Sequence, residues 1–340
     1  LTAMERIVVD PVEPTPDALE RGADALRAGG LVAFPTETVY GLGGNALDRE
    51  AVERIYATKG RPATNPLILH VPDRESARRW SGGWPEAAEL LAKAFWPGPL
   101  TLVLPRHPDI PPEVSGGLPT AALRVPAHPV ALGLLRRVDF PVAAPSANPA
   151  GQVSPTTADH VLKGLGDRVA LVLDGGATPR GIESTVVSLV GARPLLLRPG
   201  ALPTSEIEGI VGPLDRPGGA LSLHEAAPSP GMQERHYAPR GEVILMDWDP
   251  HERERVAALA REEVTSGGQV GALLLRPLPG VPVHHPIPMP DDPEAYARLL
   301  YASLHGLDDL GCDLILVDPP SRDPAWEGIR DRLTRAARGK

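Results

Sequence analysis

Two charged residues separated by a single glycine, Lys59 and Arg61 in "YATKGRPATNP", are the first candidates for chemistry. The chain carries 34 basic residues, and four of them are lysine, so a lysine beside an arginine needs a reason. Lys59 continues the stripe of Val52, Ile55 and Tyr56 on a helical period, just before Gly60 in a C-cap slot and Pro62 as a stop signal. A charge on the inward face of a helix requires a partner or a wet cleft. The other reading is a solvated lysine at the negative end of the helix dipole.

Further polar residues fall at strand ends and loops, where ligands of α/β sheets collect. They are Thr36, Thr38 and Tyr40 in "FPTETVYGLGG", His70 closing "LILH", and Arg124 in "ALRVP". "APSANPAGQVSPT" adds Ser146, Asn148 and Ser154, "IESTV" adds Ser184 and Thr185, and "LLLRPG" adds Arg198. Singly, each is as readily a cap, a turn former or half of a surface ion pair. Together the basic groups suit a polyanion with a carboxylate nearby. Arginine forks onto carboxylate or phosphate, while a lysine is a compact charge that can follow a phosphate as charge moves to the leaving group.

The elements that must position these groups are read from periodicity. Helices are expected over "DALERGADALRA", up to Lys59, before "FWPGP", and near 129–137 and 157–163. Strands are expected in "LVAF", "LILHV", "LTLVLP", "AALRVP", "PVAAP", "VALVLD", "STVVSLV" and "PLLLRP", with a glycine-rich turn at "GLGG". Such alternation predicts an α/β domain over residues 1–210 with a mixed sheet, because its last strands follow one another closely. Residues 211–240 are rich in Pro and Gly without a sustained period, yet contain His, Tyr, Arg and Met, which reads as a functional linker. From 241 to 340 the alternation resumes, with strands in "EVILMDW", "VGALLL" and "DLILVD" and helices through "RERVAALAREEV", near 293–305 and at the terminus. This is a second, smaller α/β domain of ordinary size.

Bulk properties exclude several classes. At 340 residues, 42% hydrophobic and 23% charged, the chain can build two cores, which must rest on Val, Leu, Ile and Ala because aromatics supply 4%. The net charge of −9 divides as −3 up to residue 210 and −6 beyond it, so neither half has the basic footprint of a nucleic-acid binder. One cysteine, Cys312, excludes an internal disulfide and any cysteine-based zinc site. No apolar run is long enough to span a membrane and the start lacks a signal pattern, so a cytoplasmic protein is expected, with residues 1–3 ahead of Met4 outside its natural start. There is no phosphate-binding P-loop, no H-E-x-x-H and no nucleophile elbow, and "GLGGNA" lacks the acidic residue that a dinucleotide site places about twenty positions later.

In order along the chain, "FPTETVYGLG", "KGRPATNPLILH", "FWPGPLTLVL", "LRVPAHP", "APSANPAGQVSPT", "GIESTVV" and "LLRPGAL" closely resemble the threonylcarbamoyl-AMP synthases of the YrdC type. The linker "SPGMQERHYAP" and the extra domain are similar to the longer, two-domain form. The resemblance implies a YrdC-like mixed, twisted sheet with helices, a linker that closes over the site as a lid, and a smaller Rossmann-like α/β domain. It implies synthesis of L-threonylcarbamoyl-AMP and pyrophosphate from L-threonine, bicarbonate or CO2, and ATP with Mg2+, with no protein metal ligands. The product would pass to a separate transferase system acting on tRNA, with direct tRNA contact secondary and no membrane partner.

By the same resemblance, Lys59 and Arg61 would be catalytic. Together with Asn65, Thr120, Ser146, Asn148, Ser154, Arg198, His236 and Tyr237 they would surround ATP. Thr38, His70, Arg124, the backbone at Ala144, and Ser184 would surround threonine. In the linker, Gln233 and Glu234 depart from the basic residue and tyrosine of the family pattern, while Arg235, His236 and Tyr237 match it. The residues alone leave two other readings open: an RNA-binding module without catalysis, and a carbamoyl or adenylyl transferase using another acceptor.

Overall fold

The computed structural model describes residues 4–217, 236–247 and 249–337. Its first part runs β1 (Glu5–Val8), α1 (Pro16–Arg27), β2 (Val32–Pro35), β3 (Tyr40–Asn45), α2 (Arg49–Lys59), β4 (Ile68–His70), α3 (Arg74–Arg79) and α4 (Glu86–Phe95). It continues with β5 (Leu100–Pro105), β6 (Thr120–Arg124), α5 (Pro129–Leu135), β7 (Val142–Ala143), α6 (Ala158–Leu165), β8 (Leu171–Asp174), β9 (Thr185–Ser188), β10 (Leu195–Arg198) and α7 (Thr204–Val211). The second part comprises β11 (Glu242–Leu245), α8 (Pro250–Thr265), β12 (Val270–Leu274), β13 (His285–Pro288), α9 (Pro293–Asp309), β14 (Leu314–Val317) and α10 (Glu327–Ala336).

Ten strands form one mixed sheet in the order β1-β8-β2-β3-β7-β4-β6-β5-β9-β10. Parallel pairs such as β4 with β6 are mixed with antiparallel ones such as β2 with β3 and β5 with β6. Apolar side chains from its centre pack under α2, α4 and α6 in one large core, and under α1 and α5 in another. The second sheet, β11-β14-β12-β13, is wholly parallel. Its two faces are covered by different helices, α8 on one side and α9 with α10 on the other, the usual need of a parallel sheet.

The "GLGG" stretch is a strand, β3, where the sequence predicts a turn. A Cβ at Gly43 would lie 2.7 Å from Phe34 Cε1 and 2.8 Å from Val142 Cγ1, so glycine there lets the strand pass between two packed side chains. The expected boundary at 210 falls inside α7, whose Thr204 Oγ1 donates to Glu327 Oε2 of α10 at 2.9 Å. Residues 218–235, which include Gln233, Glu234 and Arg235 and most of the expected lid, lie outside the described residues. Among the described residues no helix is long and apolar enough to cross a membrane.

The two parts meet through a shared apolar cluster. Val39, Val153 and Ile182 of the first pack with Tyr237 and with Tyr296, Leu300 and Tyr301 of α9 and Ile329 of α10. The loops that carry candidate site residues are thus held by both sheets.

Candidate active site

Lys59 sits where the periodicity places it. Asp48 caps α2 by accepting from Glu50 N at 3.0 Å, the helix buries Val52, Ile55, Tyr56 and Lys59 on one face, and Gly60 ends it at φ 62°. Only 3% exposed, Lys59 sends Nζ–H bonds to the carbonyls of Ser146 and Asn148, while Ala150 N donates to the Lys59 carbonyl at 2.8 Å. The end of α2 and the loop after β7 are therefore stitched together by this residue. Two of its three ammonium donors are used among the described residues. Burial first, and Arg61 second, pull its pKa well below the usual lysine range, with Glu183 opposing.

Arg61 is fixed by Asn65: its Nε donates to Asn65 O at 3.0 Å and Nη2 to Asn65 Oδ1 at 2.6 Å and to Pro66 O at 2.8 Å. Burial lowers its pKa to about 10. Asn65 thus acts by holding Arg61, which lines a cavity of about 50 Å3 between the sheet ends and the loops.

Thr38, His70, Arg124, Ala144, Ser146, Ser184, Arg198, His236 and Tyr237 line the same cavity. The loop between β2 and β3 is organised by Thr36, whose Oγ1 donates to Val39 O at 2.6 Å and meets Thr38 Oγ1 at 2.8 Å. Arg124, at the end of β6, donates from Nη2 to Thr38 Oγ1 at 3.0 Å. Ser184 Oγ meets Thr101 Oγ1 at 2.7 Å, and Arg198 Nη2 donates to Ser184 O at 2.9 Å and to Ser184 Oγ at 3.2 Å. His70, beside Ile68 O at 3.2 Å, is driven to a pKa of about 3 by burial and then by Arg124, and is neutral.

Other expected residues lie elsewhere. Ser154 reaches the site through Glu183, and Asn148 uses its Nδ2 on Pro149 O and Gln152 O, both at 2.9 Å. Tyr40 lines the cavity, but its hydroxyl is turned away and donates to Gly176 O at 2.7 Å. Thr185 Oγ1 donates to Leu202 O at 2.6 Å, a structural bond. Thr120 begins β6, four residues and roughly 13 Å from Arg124, and does not line the cavity.

Sequence reasoning missed Glu183, the one carboxylate among the described residues lining the cavity. It accepts from Ser154 Oγ at 2.6 Å, Tyr301 OH at 2.9 Å and Arg332 Nε at 2.8 Å. Burial alone would raise its pKa, but Arg332, Arg198 and these donors bring it down to about 2. Its neighbours in "IESTV" drew attention as hydroxyls, and nothing local announces that its partners come from 118 and 149 positions away.

His236 and Tyr237 are the lining residues that follow the linker. His236 is buried and, chiefly for that reason, has a pKa of about 3, with Nδ1 unbonded among the described residues. Tyr237 has φ 62°, rare for a bulky residue, and is clamped between Tyr301 at 5.8 Å and the Arg332 guanidinium at 5.1 Å. Among the described residues three buried cations, Arg61, Arg124 and Arg198, line the cavity with one carboxylate, Glu183, and the buried Lys59 lies behind the lining Ser146. Such an excess in a low-dielectric site selects an anionic ligand.

Comparison with known proteins agrees with this geometry. Residues 24–200 match the family model Sua5_yciO_yrdC, described as "Telomere recombination", and residues 203–338 match Sua5_C, "Threonylcarbamoyl-AMP synthase, C-terminal domain". The chain is 43% identical to threonylcarbamoyl-AMP synthase of Pyrococcus abyssi, over 93% of this chain and 92% of that one. It is 40% identical to that of Bacillus subtilis, over 98% and 96%. The crystal structure of P. abyssi Sua5 complexed with L-threonine superposes with a TM-score of 0.90 at 40% identity, covering 99% of this chain and 98% of that chain.

Proposed function

The chain belongs to the Sua5/YciO/YrdC family in its two-domain, threonylcarbamoyl-AMP synthase form, and on that premise we propose that the cationic cavity joins L-threonine, bicarbonate or CO2, and ATP into L-threonylcarbamoyl-AMP. The observation that carries this reading is the convergence of Arg61, Arg124 and Arg198, buried, on one cavity whose single lining carboxylate among the described residues is already saturated by its own donors, with the buried Lys59 bonded behind them to the carbonyl of the lining Ser146.

Arg124 presents a guanidinium fork suited to the threonine carboxylate, beside the hydroxyls of Thr38 and Ser184 and the neutral His70. Lys59, Arg61 and Arg198 suit the phosphates of ATP, with Asn65 fixing the approach of Arg61. The threonine amine adds to CO2, forming the N–C bond and releasing a proton to solvent. A carbamate oxygen then attacks the α-phosphorus as the bond to pyrophosphate breaks. Holding the two reactants in line accounts for roughly 7 to 11 kcal/mol of the barrier, and no protein nucleophile is required. Lys59 and Arg61 meet the charge that develops on pyrophosphate.

Among the described residues no group of three or more carboxylate, imidazole or thiolate ligands could hold a metal ion. Magnesium enters this reading as part of the substrate, MgATP, coordinated by phosphate oxygens and water. A cavity of about 50 Å3 does not hold both substrates, so the site must widen to admit them. The product goes to a separate transferase acting on tRNA, in keeping with the net charge of −9.

The test is pyrophosphate release from ATP with bicarbonate and Mg2+, with and without L-threonine. Release that requires threonine and collapses in Lys59→Ala supports the proposal. Release from the folded protein that ignores threonine refutes it.

A further inference from the structure

A separate cavity, of about 650 Å3, opens in the smaller domain at the carboxyl ends of its parallel strands. β11 and β14 are neighbours, yet the chain leaves β11 for α8 on one face of the sheet and leaves β14 for α10 on the other. Loops that part in this way leave a crevice, the place where open α/β sheets hold their ligands. Met246 and Asp247 after β11, Arg276 after β12, and Ser321 and Arg322 after β14 line it, and the size suits a small molecule.

Its charges are ordered across the strands. Of the lining residues, Arg276 and Arg322 follow the two central strands and Arg330 comes from α10, while Asp247 and Asp291 follow the outer strands β11 and β13. The fully buried Asp318 fixes Arg276, accepting from its Nη2 at 2.8 Å and its backbone N at 3.0 Å. Arg330 donates from Nη1 to the carbonyls of Ser321 and Asp323, which orient it without matching its charge. Arg322 is exposed and has no bonded partner among the described residues. With Asp318 counted, arginines and aspartates are equal here, three of each, so a bare polyanion would meet repulsion as well as attraction. A ligand suits the crevice if it carries one anionic group for Arg322 and Arg330 and neutral donors for Asp247 and Asp291. Leu245, Leu275, Pro319 and Pro320 supply apolar wall.

We propose that this crevice binds a nucleoside monophosphate, its phosphate on Arg322 and Arg330, its ribose hydroxyls and base amino group donating to the aspartates, and its base against the leucines and prolines. Occupancy reaches the active site through one helix. Arg330 and Thr334, one turn apart on α10, line the crevice, and Arg332, on the opposite side of that helix, bonds to Glu183. A nucleotide that steadies α10 therefore steadies the carboxylate of the first cavity. That coupling rests on the function proposed above and must be reciprocal; binding itself does not depend on it.

The test is isothermal titration of AMP into the full chain and its variants. A binding component is expected that persists in Lys59→Ala, weakens about tenfold or more in Arg322→Ala, and is blocked in Thr334→Trp, which fills the crevice from an exposed position. Adenosine, which lacks the phosphate, and inorganic phosphate, which lacks the sugar and base, should each bind there about tenfold or more weakly than AMP. The proposal is overturned by absence of AMP binding, by binding that Arg322→Ala and Thr334→Trp both leave intact, or by inorganic phosphate or ribose 5-phosphate matching AMP. AMP binding with the expected variant pattern, in a chain that shows no threonine-dependent pyrophosphate release, would uphold the crevice and sink the synthase reading instead.

Discussion

Arg332 Nε lies 2.8 Å from Glu183 Oε2, joining α10 of the second part to the active-site loop of the first, with the two side chains 1% and 9% exposed. The same guanidinium lies over the Tyr237 ring, and Tyr301 of α9 donates to the same carboxylate oxygen. A helix of the smaller domain therefore fixes both an active-site carboxylate and the cavity-lining Tyr237. The second domain thus supplies the cation that neutralises the one carboxylate lining the cavity among the described residues.

Removing one member of a buried ion pair leaves the other charge uncompensated. Arg332→Leu is expected to cost about 3 to 5 kcal/mol in urea unfolding. Adding Glu183→Gln should return most of that stability, since the orphaned charge goes too, without restoring turnover. A loss below about 1 kcal/mol in the single variant would mean the pair is not what holds the domains in register.

Lys59→Arg is as informative as the alanine variant. The ammonium fits between the carbonyls of Ser146 and Asn148, and a planar fork on a longer stem does not reproduce both bonds. Threonine-dependent pyrophosphate release should fall about 100-fold or more in Lys59→Arg, with threonine affinity little changed. Retention of near-normal turnover would show that any cation suffices there.

Much of this was legible in the sequence, for identifiable reasons. Lys59 betrayed itself because a charge on an apolar helical stripe, followed by Gly60 and Pro62, is a local conflict that only a ligand or a partner resolves. The strands "LVAF", "LTLVLP" and "DLILVD" were visible because buried strands are continuous apolar runs. β3 was not, because its glycines answer to Phe34 and Val142, which are distant or not adjacent in sequence. β1 and β13, with half-exposed alternation over four residues, give too short a signal to read. Glu183 and Glu37 were silent because their meaning lies in Arg332, Tyr301 and Arg124, whose approach is purely tertiary.

At a pH at or above the free-state pKa of Lys59, nucleotide binding should take up a proton. Burial and Arg61 hold the Lys59 pKa well below its usual range, and polyphosphate placed against it raises that pKa. A group whose pKa rises on binding gives its full contribution below the free-state value and loses it as pH rises through the bound-state value. ATP affinity should therefore weaken toward alkaline pH, and calorimetry in buffers of different ionisation enthalpy should report net proton uptake that disappears in Lys59→Ala. Equal uptake in that variant would assign the proton to another group.

Acid should loosen the fold well before its carboxylates titrate. Burial holds His70, His236 and His305 at pKa values of about 3, and His305 stacks on His160 at 3.8 Å and reaches Ser154 O at 3.1 Å across the domain boundary. In the unfolded chain each titrates near 6.5, so above that pH both states are neutral and these imidazoles add no pH dependence. Between about 6.5 and 3 the unfolded state binds up to three more protons, and stability falls with decreasing pH by up to about 4 kcal/mol per unit. Glu183, depressed to about 2, adds in the same direction only below the ordinary carboxylate range. Urea midpoints measured from pH 7.5 to 5 should drop steeply below 6.5. His305→Gln, which keeps a donor toward Ser154, should reduce the slope by about one proton. A midpoint that stays level from pH 7 to 5 would mean these imidazoles are solvated or charged in the folded protein.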